Sequence, residues 1–283
     1  MKHFAVIGHP IGHSLSPLMH NTAFQLLRLD CQYEAIDIEP ASLKQAVEHF
    51  REQRWSGFNI TAPHKEAIIP LIDEVVPEAR GVGAVNTVVC RNKILVGYNT
   101  DVIGIERSLR SVRANIEGQV CIIMGSGGAA RSVAHVLAHN IKPKAVTFSV
   151  LFPEQAYAII KNIGKSSVHF NVIHSTDTAL ETAIKDSTLL VNATTVGMFP
   201  YVSDSPLSNQ HWLSNKHIVF DLIYRPLRTR LLSEAQAVGA RTIDGLEMFI
   251  HQGAAAFHLW TEKEMPLDQV RRVLETKLTS DNG

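Results

Sequence analysis

One lysine and one aspartate in the first half of the chain could act together in proton transfer. Lys65 and Asp101 each follow a short apolar run that predicts a strand. An ammonium group beside a carboxylate in a partly closed cleft can exchange a proton with an alcohol. Taken singly, a lysine is usually a solvated surface residue, and Asp101 can cap the helix predicted from Val102. Both interpretations stay open at this point.

Further hydroxyl and amide side chains accompany neighbouring predicted strands. Ser14 and Ser16 lie after the first strand, near the start of a predicted helix, and form a pair of donors suited to a carboxylate. The alternative is ordinary helix capping by Ser16, with Ser14 in a turn. Thr61 and Asn86 belong to two more such clusters. Open α/β sheets bind ligands at the carboxyl ends of their strands, so the clusters predict one polar site.

The second half contains a glycine-rich turn between a predicted strand and a predicted helix. The turn fits the G-x-G-x-x-A dinucleotide fingerprint, whose first glycine permits the tight turn and whose second lets a pyrophosphate approach the backbone. The phosphates would lie at the helix N-terminus, where amide groups and the helix dipole favour an anion. A plain glycine-rich turn is the alternative. The turn reads Met124-Gly125-Ser126-Gly127-Gly128-Ala129-Ala130-Arg131.

The end of the next predicted strand normally distinguishes NAD from NADP. An acidic residue there binds the ribose 2′-hydroxyl, and an arginine there binds a 2′-phosphate. This chain has Val150, Leu151 and Phe152 at that place, and none of them does either. Lys144 and Arg131 are the cations that could partly substitute.

Short β-branched runs alternate with helical patterns along the chain, which predicts parallel sheets with right-handed crossovers. The fold class is therefore α/β with two domains: an N-terminal α/β substrate domain and a Rossmann-type dinucleotide-binding domain. We place the first domain at 1–104, with the C-terminal helices of 247–283 packing back on it, and the second at 105–246. A helix from Lys65 and another over 233–238 are among the predicted elements.

The composition argues against several classes of function. The 283 residues include 27 Lys and Arg and 27 Asp and Glu, so the net charge is zero and no nucleic-acid partner is indicated. No segment approaches the roughly 20 apolar residues of a membrane helix. The three cysteines form no pair motif, which is typical of a reduced, cytoplasmic protein. His9 and His13 are four apart, but Pro10 and Gly12 disfavour a helix there, so no metal site is expected.

Together the clusters resemble the signatures of the shikimate dehydrogenase family, in the right order along nearly the whole chain. The opening signature is Gly8-His9-Pro10-Ile11-x-His13-Ser14-x-Ser16-Pro17-x-x-His20-Asn21. The first half adds Asn59-Ile60-Thr61-Ala62-Pro63-His64-Lys65, Gly83-Ala84-Val85-Asn86-Thr87 and Asn99-Thr100-Asp101-x-x-Gly104. The second half adds, beside the glycine-rich turn, Asn192-Ala193-Thr194-Thr195-Val196-Gly197-Met198, Asp221-Leu222-Ile223-Tyr224-x-Pro226-Leu227 and Gly245-Leu246-x-Met248-Phe249-x-x-Gln252-Gly253.

The resemblance implies an enzyme that interconverts 3-dehydroshikimate and shikimate in the biosynthesis of chorismate and the aromatic amino acids. It implies catalytic roles for Lys65 and Asp101 beside the reacting C3 oxygen, and which of the two transfers the proton is left open. The substrate-binding residues that it implies are Ser14, Ser16, Thr61, Asn86, Tyr224 and Gln252. The cofactor-binding residues that it implies are Gly125, Ser126, Gly127, Gly128, Ala129, Ala130, Thr194, Met198, Leu222 and Gly245.

NADP is the cofactor that the resemblance implies, and this chain departs from the family at one point that bears on it. Family members usually carry Asn-Arg-Thr after the second strand of the nucleotide domain, with the arginine on the 2′-phosphate. Residues 150–152 replace that clamp here, so NAD is also possible. Two alternatives remain: a quinate or aminoshikimate dehydrogenase that uses NAD, and a non-catalytic relative that senses the ring acid or the nucleotide. The expected partner is a small-molecule substrate, without nucleic acid or membrane, for a monomer or homodimer.

Overall fold

The computed structural model describes residues 1–280. Within them the chain divides into two compact units, Met1–Ile103 together with the chain from Ile250 onward, and Gly104–Phe249. Both changes of unit fall inside a helix, the first within Asp101–Leu109 and the second within Gly245–Thr261. The second unit is therefore continuous in sequence, whereas the first is built from two separate stretches.

Strands and helices alternate through both units, which confirms the predicted α/β class. The strands are β1 (Lys2–Gly8), β2 (Cys31–Asp37), β3 (Gly57–Ile60), β4 (Glu74–Val75), β5 (Thr87–Arg91), β6 (Ile94–Tyr98), β7 (Val120–Met124), β8 (Ala145–Val150), β9 (His169–His174), β10 (Leu189–Asn192), β11 (Ile218–Asp221) and β12 (Arg241–Ile243). The helices are α1 (Ser16–Leu26), α2 (Leu43–Glu52), α3 (Pro77–Val82), α4 (Asp101–Leu109), α5 (Arg113–Ile116), α6 (Gly128–Val136), α7 (Pro153–Ile163), α8 (Ala179–Lys185), α9 (Arg230–Ala237), α10 (Gly245–Thr261) and α11 (Leu267–Ser280).

The first unit contains a mixed sheet in the order β2-β1-β3-β5-β6-β4. Strand β1 runs parallel to β2 and β3, whereas β5 runs antiparallel to β3 and to β6. This pattern brings the carboxyl ends of β1, β3 and β6 and the amino end of β5 to one edge of the sheet. The polar turns that the sequence singles out all leave or enter the sheet at that edge.

The end of α10 closes the core of the first unit. Trp260 donates its indole N–H to the carbonyl of Val88 at 3.0 Å. A Cβ atom at Gly57 would lie 2.2 Å from the same indole nitrogen, so only glycine leaves room for the ring at the start of β3. A residue near the end of the chain therefore determines how the central strand of this sheet packs.

His20 is a buried histidine inside an aromatic cluster of the first unit. Its ring stacks on Tyr33 with centroids 4.4 Å apart and lies 6.2 Å from the ring of Phe257. Neither ring nitrogen has a hydrogen-bond partner among the described residues. Burial lowers the pKa of His20 to about 3, because a protonated ring would lose its hydration there.

We expect His20 to make the fold sensitive to acid. Below the unperturbed pKa of about 6.5 the unfolded chain binds a proton that the folded chain excludes, so stability falls as the pH drops from about 6.5 towards 3. Between pH 7 and pH 5 this contribution is about 2 kcal/mol. Urea unfolding at the two pH values will show a larger loss for the wild type than for His20→Phe.

The free energy of unfolding of each protein at pH 5 is compared with its own value at pH 7. Any change in stability that the larger phenylalanine ring causes by packing is the same at both pH values and cancels. A substitution of the exposed His49 by glutamine serves as the control and should leave the pH-dependent loss as in the wild type. Equal losses in the wild type and in His20→Phe would show that another group causes the acid sensitivity.

The second unit contains a parallel sheet in the order β12-β11-β10-β7-β8-β9. Counted from β7, this is the strand order 3-2-1-4-5-6 of the Rossmann fold. The predicted Rossmann-type domain is therefore confirmed as a fold. The strand order reverses between β7 and β10, and such sheets bind their ligands outside the carboxyl ends of the strands at that point.

Two predicted helices differ from the structure. The helix predicted from Lys65 is wrong, because the chain forms turns and then a 3₁₀ helix over Ile69–Leu71. Pro70 has no N–H group and disfavours a helical conformation for the residue before it, which prevents a longer helix. The helix predicted over 233–238 is α9, which begins at Arg230, since the Thr229 hydroxyl accepts the N–H of Leu232 at 3.2 Å and caps it.

Residues 1–280 contain neither a membrane-spanning helix nor a cluster of metal ligands. No helix in this part of the chain is long and apolar enough to cross a membrane. No group of three or more His, Cys, Asp or Glu side chains within these residues could hold a metal ion. Cys31, Cys90 and Cys121 are all free.

Candidate functional site

Lys65 and Asp101 form an ion pair in the first unit. Nζ of Lys65 donates to Oδ2 of Asp101 at 2.6 Å, and the two side chains are 15% and 6% exposed. The loss of hydration offsets much of the attraction in such a pair, so it is weak evidence of a role in stability. Asp101 is the first residue of α4 and not its cap, since its carboxylate oxygens accept from Lys65 and Asn86, and the N–H of Val102 donates to Oδ1 of Asn99 at 3.3 Å. Neither fold stability nor helix capping therefore explains the pair, which leaves proton transfer as its predicted role.

Asn86 holds the carboxylate from its other side. Its Nδ2 donates to Oδ1 of Asp101 at 2.8 Å and to Oγ1 of Thr100 at 3.0 Å. Its Oδ1 accepts the N–H of Thr100 at 2.7 Å. Each oxygen of Asp101 therefore has a donor, which fixes the plane of the carboxylate. Both polar atoms of the Asn86 side chain thus have partners within the protein. Its contact with a ring hydroxyl stays a prediction.

The sheet edge explains how residues far apart in sequence meet. Lys65 lies in the turn after β3, and its carbonyl accepts the N–H of Val85 at 2.8 Å. Asn86 directly precedes β5, and Asp101 directly follows the short turn after β6. Because β5 is antiparallel to both of its neighbours, its beginning lies beside the ends of β3 and β6.

A buried polar network beneath the pair was not anticipated from the sequence. Nδ2 of Asn59 donates to the carbonyl of Asn86 at 3.1 Å and to Oγ1 of Thr87 at 2.9 Å. The Tyr33 hydroxyl donates to Oδ1 of Asn59 at 2.6 Å. These contacts fix the start of β5 and hence the position of Asn86. The signal in the sequence was the polar Asn59 and Thr87 in otherwise apolar strands, which pair directly in register.

The serine pair lies where the loop after β1 joins the next helix, with Ser14 in the loop and Ser16 inside the helix. Helix α1 begins at Ser16, and its N-cap residue Leu15 makes no side-chain cap hydrogen bond. The Ser14 hydroxyl accepts the N–H of Ser16 at 3.2 Å. Thr61 lies at the end of the adjacent strand, where its N–H donates to the carbonyl of Ile7 at 2.9 Å. The interpretation of Ser16 as a helix cap is therefore not what the structure has.

The other two predicted substrate residues lie in different units. Gln252 belongs to the part of α10 that is in the first unit, and Tyr224 belongs to the second. The ring of Tyr224 stacks on Phe249 with centroids 4.2 Å apart. The structure thus brings Lys65, Asp101 and Asn86 into direct contact, whereas Gln252 and Tyr224 are positioned by their own elements.

The glycine-rich turn of the second unit has the geometry of a phosphate cradle. Gly125 has φ +105°, which L-residues rarely adopt, and a Cβ there would lie 3.0 Å from the carbonyl oxygen of Ala193. A Cβ at Gly127 would meet no atom within 4 Å, so the backbone is open to a ligand. Helix α6 starts at Gly128, next to this space, and Ala130 is fully buried against the sheet. The residues present fit a pyrophosphate at the helix N-terminus.

The remaining predicted cofactor residues lie on neighbouring loops or in the same turn. The Ser126 hydroxyl donates to Oε1 of Gln155 at 2.7 Å. Thr194 donates its N–H and its hydroxyl to Oδ1 of Asn192, at 3.1 and 2.7 Å. A Cβ at Gly245 would lie 2.3 Å from the carbonyl oxygen of Leu222, so glycine lets α10 start against that loop. Ala129 follows in the first turn of α6, and Met198 lies in the turn closed by its N–H on the carbonyl of Thr195 at 3.1 Å.

Known proteins match this chain at both ends and along its length. Residues 6–88 match the shikimate dehydrogenase substrate binding domain, and residues 245–275 match the shikimate 5'-dehydrogenase C-terminal domain. The curated shikimate dehydrogenase (NADP(+)) of Moorella thermoacetica is 39% identical over 280 residues, which cover 99% of this chain and 94% of that protein. Its counterpart from Alkaliphilus metalliredigens is 40% identical over 274 residues, 96% of either chain. The chain belongs to the shikimate dehydrogenase family.

Solved structures extend the family likeness to three dimensions. Shikimate 5-dehydrogenase from Listeria monocytogenes, solved in complex with shikimate and NAD, is 36% identical with a TM-score of 0.86 and covers 97% of this chain and 96% of its own. Quinate dehydrogenase from Corynebacterium glutamicum, solved in complex with NAD, is 30% identical with a TM-score of 0.86. The match covers 97% of this chain and 99% of that one. The predicted family membership is confirmed.

The end of β8 is where this chain departs from the family pattern. Leu151 and Phe152 are 63% and 55% exposed there, and neither carries a charge. Lys144 cannot substitute for the usual arginine, because it precedes β8 and the strand's six residues separate it from this end by about 20 Å. Arg131 remains the candidate cation, since its backbone N–H donates to the carbonyl of Gly127 at 3.1 Å and closes the first turn of α6, next to the glycine-rich turn.

Proposed function

We propose that this chain is an oxidoreductase that interconverts 3-dehydroshikimate and shikimate with NADP, and that NAD can replace NADP. The observation that carries the proposal is the Lys65–Asp101 ion pair at the polar edge of the first sheet, 2.6 Å long and largely buried. The relatives named shikimate dehydrogenase (NADP(+)) match almost the whole chain and support the same activity. The enzyme then acts in the biosynthesis of chorismate and the aromatic amino acids.

The proposal assigns one molecule to each domain. Residues 1–104 with 247–283 form the substrate-binding and catalytic domain, and residues 105–246 form the dinucleotide-binding domain. The polar sheet edge supports the first assignment, because its hydroxyl, amide and charged groups suit a hydroxylated ring acid. The Rossmann strand order and the open backbone at Gly127 support the second.

Lys65 has the central chemical role. The dinucleotide, held by the glycine-rich turn, would supply the hydride that the C3 carbonyl carbon of the ring needs. The carbonyl oxygen then needs a proton and a nearby positive charge, and the Lys65 ammonium group can provide both. Asp101 holds Nζ of Lys65 in place at 2.6 Å. In the opposite direction the pair takes the proton from the C3 hydroxyl.

The other residues orient the two molecules. The hydroxyls of Ser14 and Ser16 hold the ring carboxylate, since Ser14 lies in the loop after β1 and Ser16 begins α1 at the same polar edge of the sheet. Thr61, Asn86, Gln252 and Tyr224 are assigned to the ring hydroxyls or their surroundings. The glycine-rich turn and its helix, residues 125–130, hold the pyrophosphate. Thr194, Met198, Leu222 and Gly245 line the nicotinamide side.

A turnover assay on the purified protein tests the proposal. Reduced nicotinamide is followed by its absorbance with shikimate or quinate, each with NAD or NADP. We expect turnover with shikimate and NADP, together with measurable turnover with shikimate and NAD. No turnover in any of the four pairings would refute the enzyme assignment.

One alternative has an observation in its favour. The uncharged Leu151 and Phe152, and the likeness to a quinate dehydrogenase solved with NAD, favour an NAD-linked quinate dehydrogenase as the second candidate. Turnover of quinate with NAD and none of shikimate would select it. The proposal is completed by a cytoplasmic location and by a monomeric or homodimeric state.

A further inference from the structure

Asp221 is a fully buried carboxylate in the second unit, at the last position of β11. No lysine or arginine among the described residues pairs with it. Burial raises the pKa of Asp221 to about 6, against the pull of three hydrogen bonds that favour the ionised form. An acidic side chain in such surroundings is costly unless its hydrogen bonds compensate, so its contacts indicate what it does.

Three donors converge on the carboxylate from three elements. Oδ1 accepts Nδ2 of Asn192 at 3.0 Å and the N–H of Ile223 at 3.1 Å. Oδ2 accepts the hydroxyl of Thr229 at 2.7 Å. The end of β10, the loop after β11 and the start of α9 are thus tied to one side chain.

The carboxylate also helps to determine which way the Asn192 amide faces, together with the carbonyl of Val196, which accepts the same NH₂ group at 3.3 Å. A carboxylate only accepts hydrogen bonds, so the Asn192 NH₂ group must face Asp221. The carbonyl oxygen of that amide is then left to accept the N–H and the hydroxyl of Thr194, at 3.1 and 2.7 Å. A flipped amide would lose the hydrogen bonds to Asp221 and to the N–H of Thr194, since neither a carboxylate and an amide oxygen nor two N–H donors can pair.

The loops that Asp221 holds are the ones assigned to the nicotinamide side. Asn192 is paired in register with Met124 on one side and with Asp221 on the other, so three strands end together. The N–H of Leu222 donates to the carbonyl of Asn192 at 3.1 Å. Thr194 and Leu222 therefore both take their positions from groups that Asp221 contacts.

We propose that Asp221 is a positioning residue of the dinucleotide site, which acts through Asn192 and Ile223 without touching the dinucleotide. The inference rests on the proposed function, since it uses the assignment of Thr194 and Leu222 to the nicotinamide side. The carboxylate holds the two loops in one arrangement, so less ordering is left to occur when the dinucleotide binds.

Asp221→Asn tests this role while it keeps the size of the side chain. An amide at 221 has one acceptor oxygen, so one of the three donors loses its partner or must turn. We expect the dissociation constant and the KM for the dinucleotide to rise about tenfold, which corresponds to the loss of one charge-assisted hydrogen bond. The KM for the ring acid should rise less than the KM for the dinucleotide, because five of the six residues assigned to the ring acid belong to the first unit and only Tyr224 belongs to the second.

A pair of substitutions at Thr229 gives a second test that does not alter Asp221. Thr229→Ser keeps the hydroxyl that donates to Oδ2 and should leave dinucleotide binding as in the wild type. Thr229→Val removes that hydroxyl and should weaken binding in the same direction as Asp221→Asn. Val219→Ala, a cavity in the same strand at a fully buried position, is the control for general loosening of the unit.

Binding is measured by the fluorescence of reduced NADP added to the whole protein, so turnover is not needed. Wild-type protein that binds reduced NADP but turns over no ring acid would refute the proposed function and leave this test valid. Equal binding by the wild type, Asp221→Asn and Thr229→Val would overturn the role of Asp221. Weakening as large in Val219→Ala as in Asp221→Asn would also overturn it.

Discussion

Replacement of Lys65 by alanine is expected to lower kcat about 10³-fold, the middle of the range for loss of a general acid or base. The KM for shikimate should change far less, because the interaction with the developing charge on the C3 oxygen exists mainly in the transition state. Steady-state kinetics with saturating NADP measure both constants. Dinucleotide binding should be unchanged, since the residues assigned to it lie in the second unit.

Lys65→Arg separates the two contributions of the lysine. A guanidinium group keeps the positive charge beside Asp101 but does not release its proton at accessible pH. We therefore expect this variant to stay far below wild-type kcat. Lys44→Ala, at an exposed lysine of α2, is the matched control and should retain full activity. If Lys65→Ala kept kcat within tenfold of the wild type, another group would have to supply the proton.

Leu151→Arg is expected to raise the preference for NADP over NAD by about 10- to 100-fold. The side chain at 151 lies after β8, where family members carry the arginine that contacts the 2′-phosphate, and it is exposed enough to be replaced without loss of core packing. A charge-assisted pair of hydrogen bonds between a guanidinium and a phosphate accounts for an effect of this size. The measurement is the ratio of kcat/KM for the two dinucleotides.

The matched control is Leu151→Gln, which adds a polar side chain without charge and should leave the ratio near the wild-type value. The gain in Leu151→Arg should also shrink at high salt, because an exposed ion pair is screened. An unchanged ratio in Leu151→Arg would mean that the ribose lies elsewhere, and that Arg131 or another cation recognises the 2′-phosphate.

The fold was largely predictable because its signals are local. The alternation of strand and helix patterns and the glycine-rich turn of residues 125–130 together predict a Rossmann-type unit, and the strand order confirms it. The helix predicted from Lys65 failed for a reason visible in the chain, since Pro70 disfavours a helix through Ile69. The pattern of polar and apolar residues after Lys65 is therefore not sufficient to form a helix across Pro70.

The partners within the site were harder to predict, because they depend on strand register. The sequence indicated that Lys65 and Asp101 lie at strand ends, but not that Asn86 donates to the carboxylate at 2.8 Å. That contact exists because β5 runs antiparallel to its neighbours, which places the beginning of one strand beside the ends of two others. The contact of Asn59 was hard to predict for the same reason, since its partner Thr87 is defined only by the pairing of β3 with β5.

The place of Trp260 against Gly57 bears on the order in which the protein folds during synthesis. The second unit is one continuous stretch, Gly104–Phe249, and all of it leaves the ribosome before Trp260 does. Residues 1–103 of the first unit are made earlier but lack the indole ring that packs at the start of β3 until α10 has emerged. The Rossmann unit can therefore complete its core first, and the sheet that carries Lys65 and Asp101 completes its core last.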